Sequence, residues 1–287
     1  MNLVTFTLDG RTATGALAGD RHLVDLHAAD PAIPSDMLAL LQGGDAMLDR
    51  ARDALKNAGA RIPLAGVTLE APIARPGKAL AIGLNYRDHA AEGGQAIPER
   101  PVVFSKVTTC ITGPGKPVHR PKVSAALDWE AELVFVIGTA ARHVKAADAL
   151  GYVAGYMAGN DVSVRDWQFH APTWTMGKGF DTHGPIGPWL VTRDEIDPSN
   201  LGIRTYVNGE LKQQSNTSQL IFDVPALIEY LSTAFTLEPG DIVFTGTPAG
   251  VGVSRKPPQF MKAGDTVRVE IDGLGVLENP IIDEPAH

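Results

Sequence analysis

Alternating acids precede a strongly apolar run in the stretch ALDWEAELVFVIG, residues 126–138. In an extended chain every second side chain lies on the same face, so Glu130 and Glu132 are predicted to stand side by side and repel each other. Three interpretations fit: a solvated edge strand, a carboxylate pair that shares one proton, or ligands of a hard cation such as Mg²⁺, which prefers oxygen. Asp161 ends an apolar, glycine-rich segment and is the candidate third ligand, because burial of an unpaired acid is costly. Spacing alone leaves these alternatives open.

A histidine and a glutamate three residues apart follow a predicted strand in AIGLNYRDHAAEGG, residues 81–94. On a helical turn this spacing places His89 and Glu92 on the same face. A carboxylate beside an imidazole orients the ring and raises its basicity, which suits the deprotonation of water. A polar surface turn is the alternative interpretation, and Gly93 and Gly94 indicate a loop that is able to move.

A glycine- and threonine-rich turn ends another predicted strand in VFTGTPAGVG, residues 243–252. Backbone N–H groups and the hydroxyls of Thr245 and Thr247 could bind a carboxylate there. The turn lacks the lysine of a phosphate-binding P-loop, which argues against a nucleotide site. An ordinary tight turn is the alternative.

The elements that must position these residues are mostly predicted strands. Residues 1–27 contain three short strand patterns separated by Asp-Gly and Gly-Asp turns. A helix is predicted over Asp45–Ala58, with Asp45 as its N-cap. The Pro- and Gly-rich residues 61–78 are interpreted as a connector. We therefore predict a small N-terminal α/β domain, residues 1–70, and a larger domain, residues 71–287.

Beyond residue 70 the pattern is again mostly strands, with two predicted helices among them. One helix is predicted near Ala147–Ala158. The other starts at Asp223, accepts Pro225 in its first turn and stacks apolar residues at helical spacing. The chain contains no internal repeat and no low-complexity tract. The predicted fold class is a β-rich α+β protein.

Composition limits the classes of function. The 287 residues carry 25 Lys and Arg against 33 Asp and Glu, a net charge of −8. Nucleic-acid binding is therefore disfavoured, because it requires clustered cations. The single cysteine, Cys110, excludes an internal disulfide and a cysteine-based metal site. With no N-terminal signal pattern and no apolar run of about 18 residues, we expect a cytoplasmic protein without a membrane partner.

Six segments in order resemble the fumarylacetoacetate hydrolase family, specifically its acylpyruvase-like and 2-hydroxyhepta-2,4-diene-1,7-dioate isomerase-like members. The matching segments are GLNYRDHAAE, DWEAELVFVIG, GYMAGNDVSVRDWQ, GKGFDTHGPIGPWLVT, VNGELKQQSNTSQLIF and LEPGDIVFTGTPAGVG. They cover nearly everything from residue 76 onward. The resemblance implies a mixed β-sandwich roll for the larger domain, a small N-terminal domain and a homodimer.

The resemblance also implies roles for individual residues. Glu130, Glu132 and Asp161 match the ligands of a divalent metal, which would be Mg²⁺, or alternatively Mn²⁺ or Ca²⁺. His89 and Glu92 match a catalytic dyad on a loop that orders over the substrate. Four further positions match residues that contact substrate: Arg165, Gln168, Lys178 and Thr247. Lys178 and Gln168 are the candidates to stabilise an oxyanion.

The chain departs from the family pattern beside these residues. Gly179 and His183 stand where Ser and an aromatic residue are frequent in relatives, and His183 is interpreted as a structural histidine or, alternatively, a substrate contact. Three aromatic residues could line the pocket or belong to the core: Trp167, Phe169 and Trp174. These differences affect the expected substrate and not the metal ligands.

The implied activity is hydrolysis of a C–C bond in 2,4-dioxo acids. In that reaction a metal stabilises a pyruvate enolate and His89 activates the attacking water. The same site would also suit decarboxylation or keto–enol tautomerisation of oxaloacetate, or isomerisation of 2-oxo-diene-dioates. A catalytically silent binding module is the alternative from another class, but no dyad or metal residue is missing from the chain.

Overall fold

The computed structural model describes residues 1–286, and strands dominate them. The strands are β1 (Asn2–Leu8), β2 (Arg11–Leu17), β3 (His22–Asp25), β4 (Ile62–Pro63), β5 (Thr68–Glu70), β6 (Ala79–Gly83), β7 (Val102–Ser105), β8 (Ile111–Thr112), β9 (Val118–Arg120), β10 (Leu127–Asp128), β11 (Ala131–Ile137), β12 (Val153–Asn160), β13 (Ser163–Val164), β14 (Gly184–Thr192), β15 (Gly202–Val207), β16 (Glu210–Asn216), β17 (Ile242–Phe244), β18 (Thr266–Ile271) and β19 (Gly275–Asp283). The α-helices are α1 (Leu26–Ala29), α2 (Met37–Gln42), α3 (Gly44–Asn57), α4 (Arg87–Glu92), α5 (Arg165–Gln168), α6 (Thr175–Lys178) and α7 (Val224–Ala234).

A mixed sheet of twelve strands runs through the molecule. Its order is β4-β3-β2-β1-β14-β12-β11-β17-β6-β7, with β5 beside β1 and β8 beside β14. Most neighbours are antiparallel, but β17 runs parallel to β6 and β8 runs parallel to β14. A second sheet has the order β16-β15-β18-β19-β9, and β10 pairs with β13. The fold is therefore the expected β-rich α+β architecture, a mixed β-sandwich roll.

Both faces of the large sheet are covered, so its central strands are mostly apolar. On one face Phe135 and Tyr156 belong to the same core cluster as Ile203 and Val269 of the second sheet. On the other face the helices α2 and α3 supply apolar side chains such as Leu40. Every residue of β11 and β12 is consequently buried, as expected for strands covered on both sides.

Residues before position 70 join the same sheet. β1 pairs with β14, with Leu3 opposite Leu190, and β2, β3 and β4 continue the sheet from there to its edge. Leu3 also shares a core cluster with Val134 and Phe244 from the centre of the sheet. The domain boundary near residue 70 stays a prediction, and backbone hydrogen bonds cross from one predicted domain to the other.

One predicted helix is wrong, and its residues form a central strand. Residues 146–152 make a short 3₁₀ helix, and β12 follows at once in place of a helix over Ala147–Ala158. β12 lies between β11 and β14, where its hydrogen bonds are made to neighbouring strands. Alanine favours a helix and glycine disfavours both helix and strand, so pairing with the neighbouring strands overrides the local preference here.

The other two helix predictions are confirmed, with one correction at a cap. α7 begins after Asp223, close to the predicted start, and the Asp223 carboxylate accepts the N–H of Ala226. α3 has Gly43 as its N-cap, whereas Asp45 lies in the first turn. The connector interpretation of residues 61–78 is wrong in part, because β4 and β5 lie in it. No helix within residues 1–286 is long and apolar enough to cross a membrane.

A buried aspartate joins the parallel strands β6 and β17. Asp241 is 1% exposed and accepts the backbone N–H of Lys78 at 2.8 Å, the Lys78 ammonium at 2.8 Å and the N–H of Glu238 at 2.7 Å. β6 leads to His89 and β17 leads to Thr247. This contact therefore sets the relative position of two segments that carry predicted site residues.

Asp241→Ala is expected to destabilise the protein by about 3 kcal/mol, because it leaves two backbone donors without an acceptor and removes the buried one of the two carboxylates that contact the Lys78 ammonium. Equilibrium urea unfolding measures this change. Glu238→Ala is the matched control: Glu238 also contacts Lys78 but its side chain is 64% exposed, so a loss below about 1 kcal/mol is expected. Equal losses in the two variants would contradict the structural role given to Asp241.

Candidate active site

Antiparallel pairing of β11 and β12 brings the three predicted metal ligands together. Glu130 immediately precedes β11, Glu132 lies in it, and Asp161 immediately follows β12. The N–H of Asp161 donates to the carbonyl of Glu130 at 2.9 Å. One carboxylate oxygen from each of the three residues lies within 4.8 Å of the others. All three are buried, so the interpretation of the acids as a solvated edge strand is wrong.

Three buried cations surround these acids. The ammonium of Lys178 donates to Glu130 and to Asp161, each at 2.7 Å. Lys106 donates to the other oxygen of Asp161 at 2.5 Å and to the backbone carbonyls of Lys178 and His183. Arg165 lies 2.7 Å from Glu130. Each acid–base contact offsets part of the cost of burying both partners.

Asp128, the acid two residues before Glu130, does not belong to the triad formed by Glu130, Glu132 and Asp161. Its carboxylate accepts Nε of Arg165 at 2.7 Å and the N–H groups of Gly252 and Val253 at 2.7 and 2.9 Å. It is fully buried. Asp128 therefore holds the guanidinium of Arg165 and the chain after β17 in place, and it acts on the site through them.

The two glutamates have opposite electrostatic surroundings. Burial opposes ionisation of Glu130, but Lys178 and Arg165 outweigh it and lower the pKa of this carboxyl to about 2. Burial raises the pKa of Glu132 well above its usual value, and the charges of Asp161 and Glu130 raise it further. Glu132 is thus the member of the triad that forms no ion pair with a Lys or Arg among residues 1–286.

The chemistry of this donor set suits a hard divalent cation. Three carboxylates converge, and oxygen donors are the ligands of Mg²⁺, Mn²⁺ and Ca²⁺. The buried cluster contains four acids and three cations, a formal charge of 3 − 4 = −1. The residues that would hold the metal are Glu130, Glu132 and Asp161.

The glycine-rich turn after β17 contacts Glu132. The N–H of Gly246 donates to its carboxylate at 2.7 Å. Gly246 has φ of +101°, and a Cβ there would lie 2.7 Å from the Cβ of Asn85, so only glycine fits without strain. Thr245 donates its hydroxyl to the carbonyl of Leu133, and it is therefore not available to a ligand. The tight-turn interpretation alone does not account for the bond to Glu132.

Thr247 remains available to a ligand. Its hydroxyl oxygen accepts an N–H of Gln213 at 2.9 Å, which leaves its own proton to be donated. Gln213 also accepts the N–H of Ala131 at 3.0 Å. The same glutamine thus connects the turn to the start of β11, where the acids lie.

His89 and Glu92 contact each other on the short helix α4. Nδ1 of His89 lies 3.3 Å from one carboxylate oxygen of Glu92, and the other oxygen accepts the N–H of Gly250 at 3.0 Å. Burial opposes ionisation of Glu92, but the hydrogen bonds to His89 and Gly250 outweigh it and lower the pKa of its carboxyl. Glu92 is therefore a carboxylate that orients the imidazole.

A small cavity brings the predicted residues together. It has a volume of about 180 Å³. Eight predicted site residues line it: His89, Glu130, Glu132, Asp161, Arg165, Gln168, Lys178 and Thr247. Glu92 lies behind His89 and does not line it. A larger groove of about 1000 Å³ lies beside α1 and α3, but it contains alanines and surface ion pairs without a comparable convergence of buried groups.

Arg165 presents an unpartnered donor in this buried region. Its Nη1 donates to the side-chain oxygen of Gln168 at 2.9 Å, and its Nε contacts Asp128. Its Nη2 is buried and has no hydrogen-bond partner among residues 1–286. A buried N–H without an acceptor is costly, and an anionic ligand in the cavity would satisfy it.

The structure favours the structural interpretation of His183. Its Nε2 donates to the backbone carbonyl of His119 at 2.7 Å, and the side chain does not line the cavity. Burial lowers the pKa of His183 to about 3. The imidazole is therefore neutral at ordinary pH and holds two loop segments together.

The three aromatic candidates have different positions. Trp167 packs against Phe180 in a satellite core. Phe169 lines the cavity and is 69% exposed. Trp174 also lines the cavity and packs its ring edge-on against Phe104 at 5.5 Å between centroids.

Sequence reasoning missed the structural role of Lys106. The only signal for it is a lysine that ends an apolar strand pattern, and such a lysine is normally solvated. The roles of Asp128 and Gln213 were also missed, because their partners are distant in sequence.

His183→Gln is expected to flatten the pH dependence of stability. The folded-state pKa of about 3 lies below the unfolded value of about 6.5. The neutral form therefore stabilises the fold above pH 6.5, and this contribution is lost as pH falls from 6.5 towards 3. Between pH 7 and pH 5 the parent chain should lose about 2 kcal/mol more than His183→Gln. Urea unfolding at both pH values measures the difference, and parallel losses would exclude a buried neutral histidine.

Comparisons with known proteins extend these observations. Residues 78–282 match the family described as fumarylacetoacetate (FAA) hydrolase C-terminal. The chain is 47% identical over 264 residues, 91% of its own length and 83% of the relative's, to oxaloacetate tautomerase fahd2, mitochondrial, of Xenopus laevis.

Two solved structures are similar over nearly the whole chain. One is 2-hydroxyhepta-2,4-diene-1,7-dioate isomerase from Mycobacterium marinum, with 35% identity, a TM-score of 0.78 and 100% of both chains covered. The other is maleylpyruvate hydrolase from Sphingobium in complex with manganese(II) and pyruvate, with 31% identity, a TM-score of 0.83 and 99% and 100% covered. With the family match over 205 residues, 78–282, they lead to one conclusion: this chain belongs to the fumarylacetoacetate hydrolase family.

Proposed function

We propose that this enzyme interconverts the keto and enol forms of oxaloacetate at a divalent-metal site. One observation carries the proposal: the buried acid triad lines the same small cavity as Arg165, whose buried Nη2 has no hydrogen-bond partner among residues 1–286. A metal site next to a buried cationic donor suits a 2-oxo acid, which combines a chelating head with an anionic charge. The name of the Xenopus laevis relative supports oxaloacetate as the substrate.

Charge balance supports an anionic substrate. The buried cluster has a formal charge of −1, and a divalent cation would change it to +1. An anionic 2-oxo acid then brings the buried charge near zero or below, which limits the cost of burial. Bound at the triad, the metal would supply Lewis-acid polarisation of the 2-oxo group.

The chain's own residues supply the binding and proton-transfer groups. Arg165 and Thr247 donate to the carboxylate of the 2-oxo acid head. Lys178 uses two of its three N–H donors on Glu130 and Asp161, so its third can reach the oxygen on which negative charge develops.

His89 is the proposed proton carrier. Its imidazole takes a proton from C3 of the keto acid and returns a proton to the oxygen at C2, so that the enzyme is regenerated and the keto and enol forms differ only in proton position. Glu92 orients the ring and stabilises its protonated form.

Hydrolysis of a C–C bond in 2,4-dioxo acids is the second candidate function. The contact between His89 and Glu92 favours it, because a base held by a carboxylate also activates water. The Sphingobium structure is named a maleylpyruvate hydrolase. Oxaloacetate decarboxylation and isomerisation of 2-oxo-diene-dioates would use the same groups. These reactions differ from one another in whether water enters the site and in which bond of the substrate breaks.

One assay panel distinguishes these reactions. Oxaloacetate, acetylpyruvate, fumarylpyruvate and a 2-oxo-diene-dioate are each incubated with the enzyme and Mg²⁺, Mn²⁺ or EDTA, and products are identified. Tautomerisation of oxaloacetate that is faster than cleavage of either dioxo acid supports the proposal. Turnover of no compound with either metal would favour a silent binding module.

The homodimer expected from the family resemblance is also proposed. Sedimentation velocity measures the oligomeric state and checks this proposal.

Glu132→Gln is expected to weaken Mn²⁺ binding by at least about 100-fold, because it removes one charged ligand. The melting temperature of the metal-free protein should stay the same or rise, since the change removes a buried charge next to two other acids. Calorimetric Mn²⁺ titration and thermal unfolding measure the two effects. Glu238→Gln, on an exposed residue, is the control, and unchanged Mn²⁺ affinity in Glu132→Gln would refute the ligand assignment.

His89→Ala is expected to lower kcat for tautomerisation by about 10²–10⁴-fold, the usual contribution of a general base. Mn²⁺ and oxalate affinities should change little, because no proposed chelating group is removed. Glu92→Gln should show a smaller loss. If dioxo-acid cleavage is lost in His89→Ala while tautomerisation is retained, His89 activates water and the second candidate function is favoured.

A further inference from the structure

Trp174 has a backbone conformation that is rare for a bulky residue. Its φ is +58° and its ψ is −11°, in the left-handed region. Such a conformation is strained and persists where the surrounding structure imposes it, often at functional sites. Trp174 immediately precedes α6, and its carbonyl accepts the N–H groups of Gly177 and Lys178 at 2.9 and 3.1 Å.

The indole of Trp174 lies against the end of β6. A Cβ on Gly83 would lie 2.3 Å from the Cζ3 atom of the indole, so the absence of a side chain at Gly83 makes room for the ring. On its other side the indole contacts Phe104. Phe104 in turn lies below Lys178, whose ammonium is 5.5 Å from the ring centroid.

These contacts link the indole to the segments that carry His89 and Lys178. Gly83 leads through residues 84–86 to α4, which carries His89, while α6 carries Lys178. Trp174, Gly83, His89 and Lys178 all line the cavity of about 180 Å³. This volume is below the roughly 300–1000 Å³ of sites for larger organic ligands.

We propose that Trp174 is a specificity-determining residue that limits the length of the group attached to the 2-oxo acid head. This inference rests on the proposed function, since it assumes that the head binds at the acid triad. The rigid indole fills the space into which a longer tail would extend and restricts the site to compact acids. Packing in the core alone would give no dependence on tail length.

The test measures the affinities of oxalate, 2-oxobutanoate and 2-oxooctanoate for the full chain with Mg²⁺ by calorimetry. Oxalate has no tail and reports on head binding. Trp174→Gly removes the ring and tolerates the left-handed backbone. Each additional methylene that becomes buried adds about fourfold in affinity. We therefore expect the affinity ratio of 2-oxooctanoate to 2-oxobutanoate to rise at least tenfold, with oxalate affinity within about threefold of the parent.

Two further variants make the result interpretable. Met176→Ala changes a residue of the same segment that is 58% exposed and outside the cavity lining, and it should leave the ratio unchanged. Trp174→Phe keeps an aromatic ring but a smaller one, and it should raise the ratio several-fold. This variant provides the test if Trp174→Gly does not fold.

The outcomes separate this inference from the proposed function. An unchanged ratio in the folded Trp174 variants overturns the role of Trp174 in specificity. A parallel fall in oxalate affinity also overturns it, because Trp174 would then act by positioning Lys178. Failure of all three probes to bind the parent enzyme with Mg²⁺ overturns the proposed 2-oxo acid site itself.

Discussion

Burial of like charges at the ends of β11 and β12 is the constraint on which the rest of the site depends. Glu130, Glu132 and Asp161 lie within a few ångströms of one another, and such a cluster is strongly unfavourable unless cations offset it. Lys106 and Lys178 supply part of this compensation from separate segments. Without the acids, burial of the charge of either lysine in this position would be strongly unfavourable. The acids and the lysines therefore require each other, and neither set is explained alone.

The compensating contacts also determine how the loops meet. Lys106 donates to the backbone carbonyls of Lys178 and His183 as well as to Asp161, so one ammonium joins three segments. Asp128 does the same for Arg165 and the chain near Gly252. Because these bonds are made to backbone as well as to side chains, loop conformation and charge balance are set together.

The sequence predicted the parts of the fold that depend on local pattern. The strand patterns of β1, β6, β11 and β17 and the helix α7 with its start at Asp223 are of this kind. The helix expected over residues 147–158 fails because β12 is decided by its neighbours in the sheet. The site residues were named by motif, but their meeting at one cavity depends on the register of β11 against β12. The roles of Lys106 and Asp128 depend on partners 55 and 37 residues away, which no local pattern reveals.

The three acids lie in or next to strands of the sheet, whereas His89 and Trp174 lie on short peripheral segments. This division has an evolutionary consequence. The proposed metal ligands lie at the ends of two strands that are buried throughout, where most substitutions would disturb the core. His89 and Trp174 lie on one-turn or two-turn segments at the periphery, where sequence change is better tolerated. Selection could thus alter the reaction or the substrate through these segments while the metal centre is inherited unchanged. Relatives of one family with different named reactions are what such a division would produce.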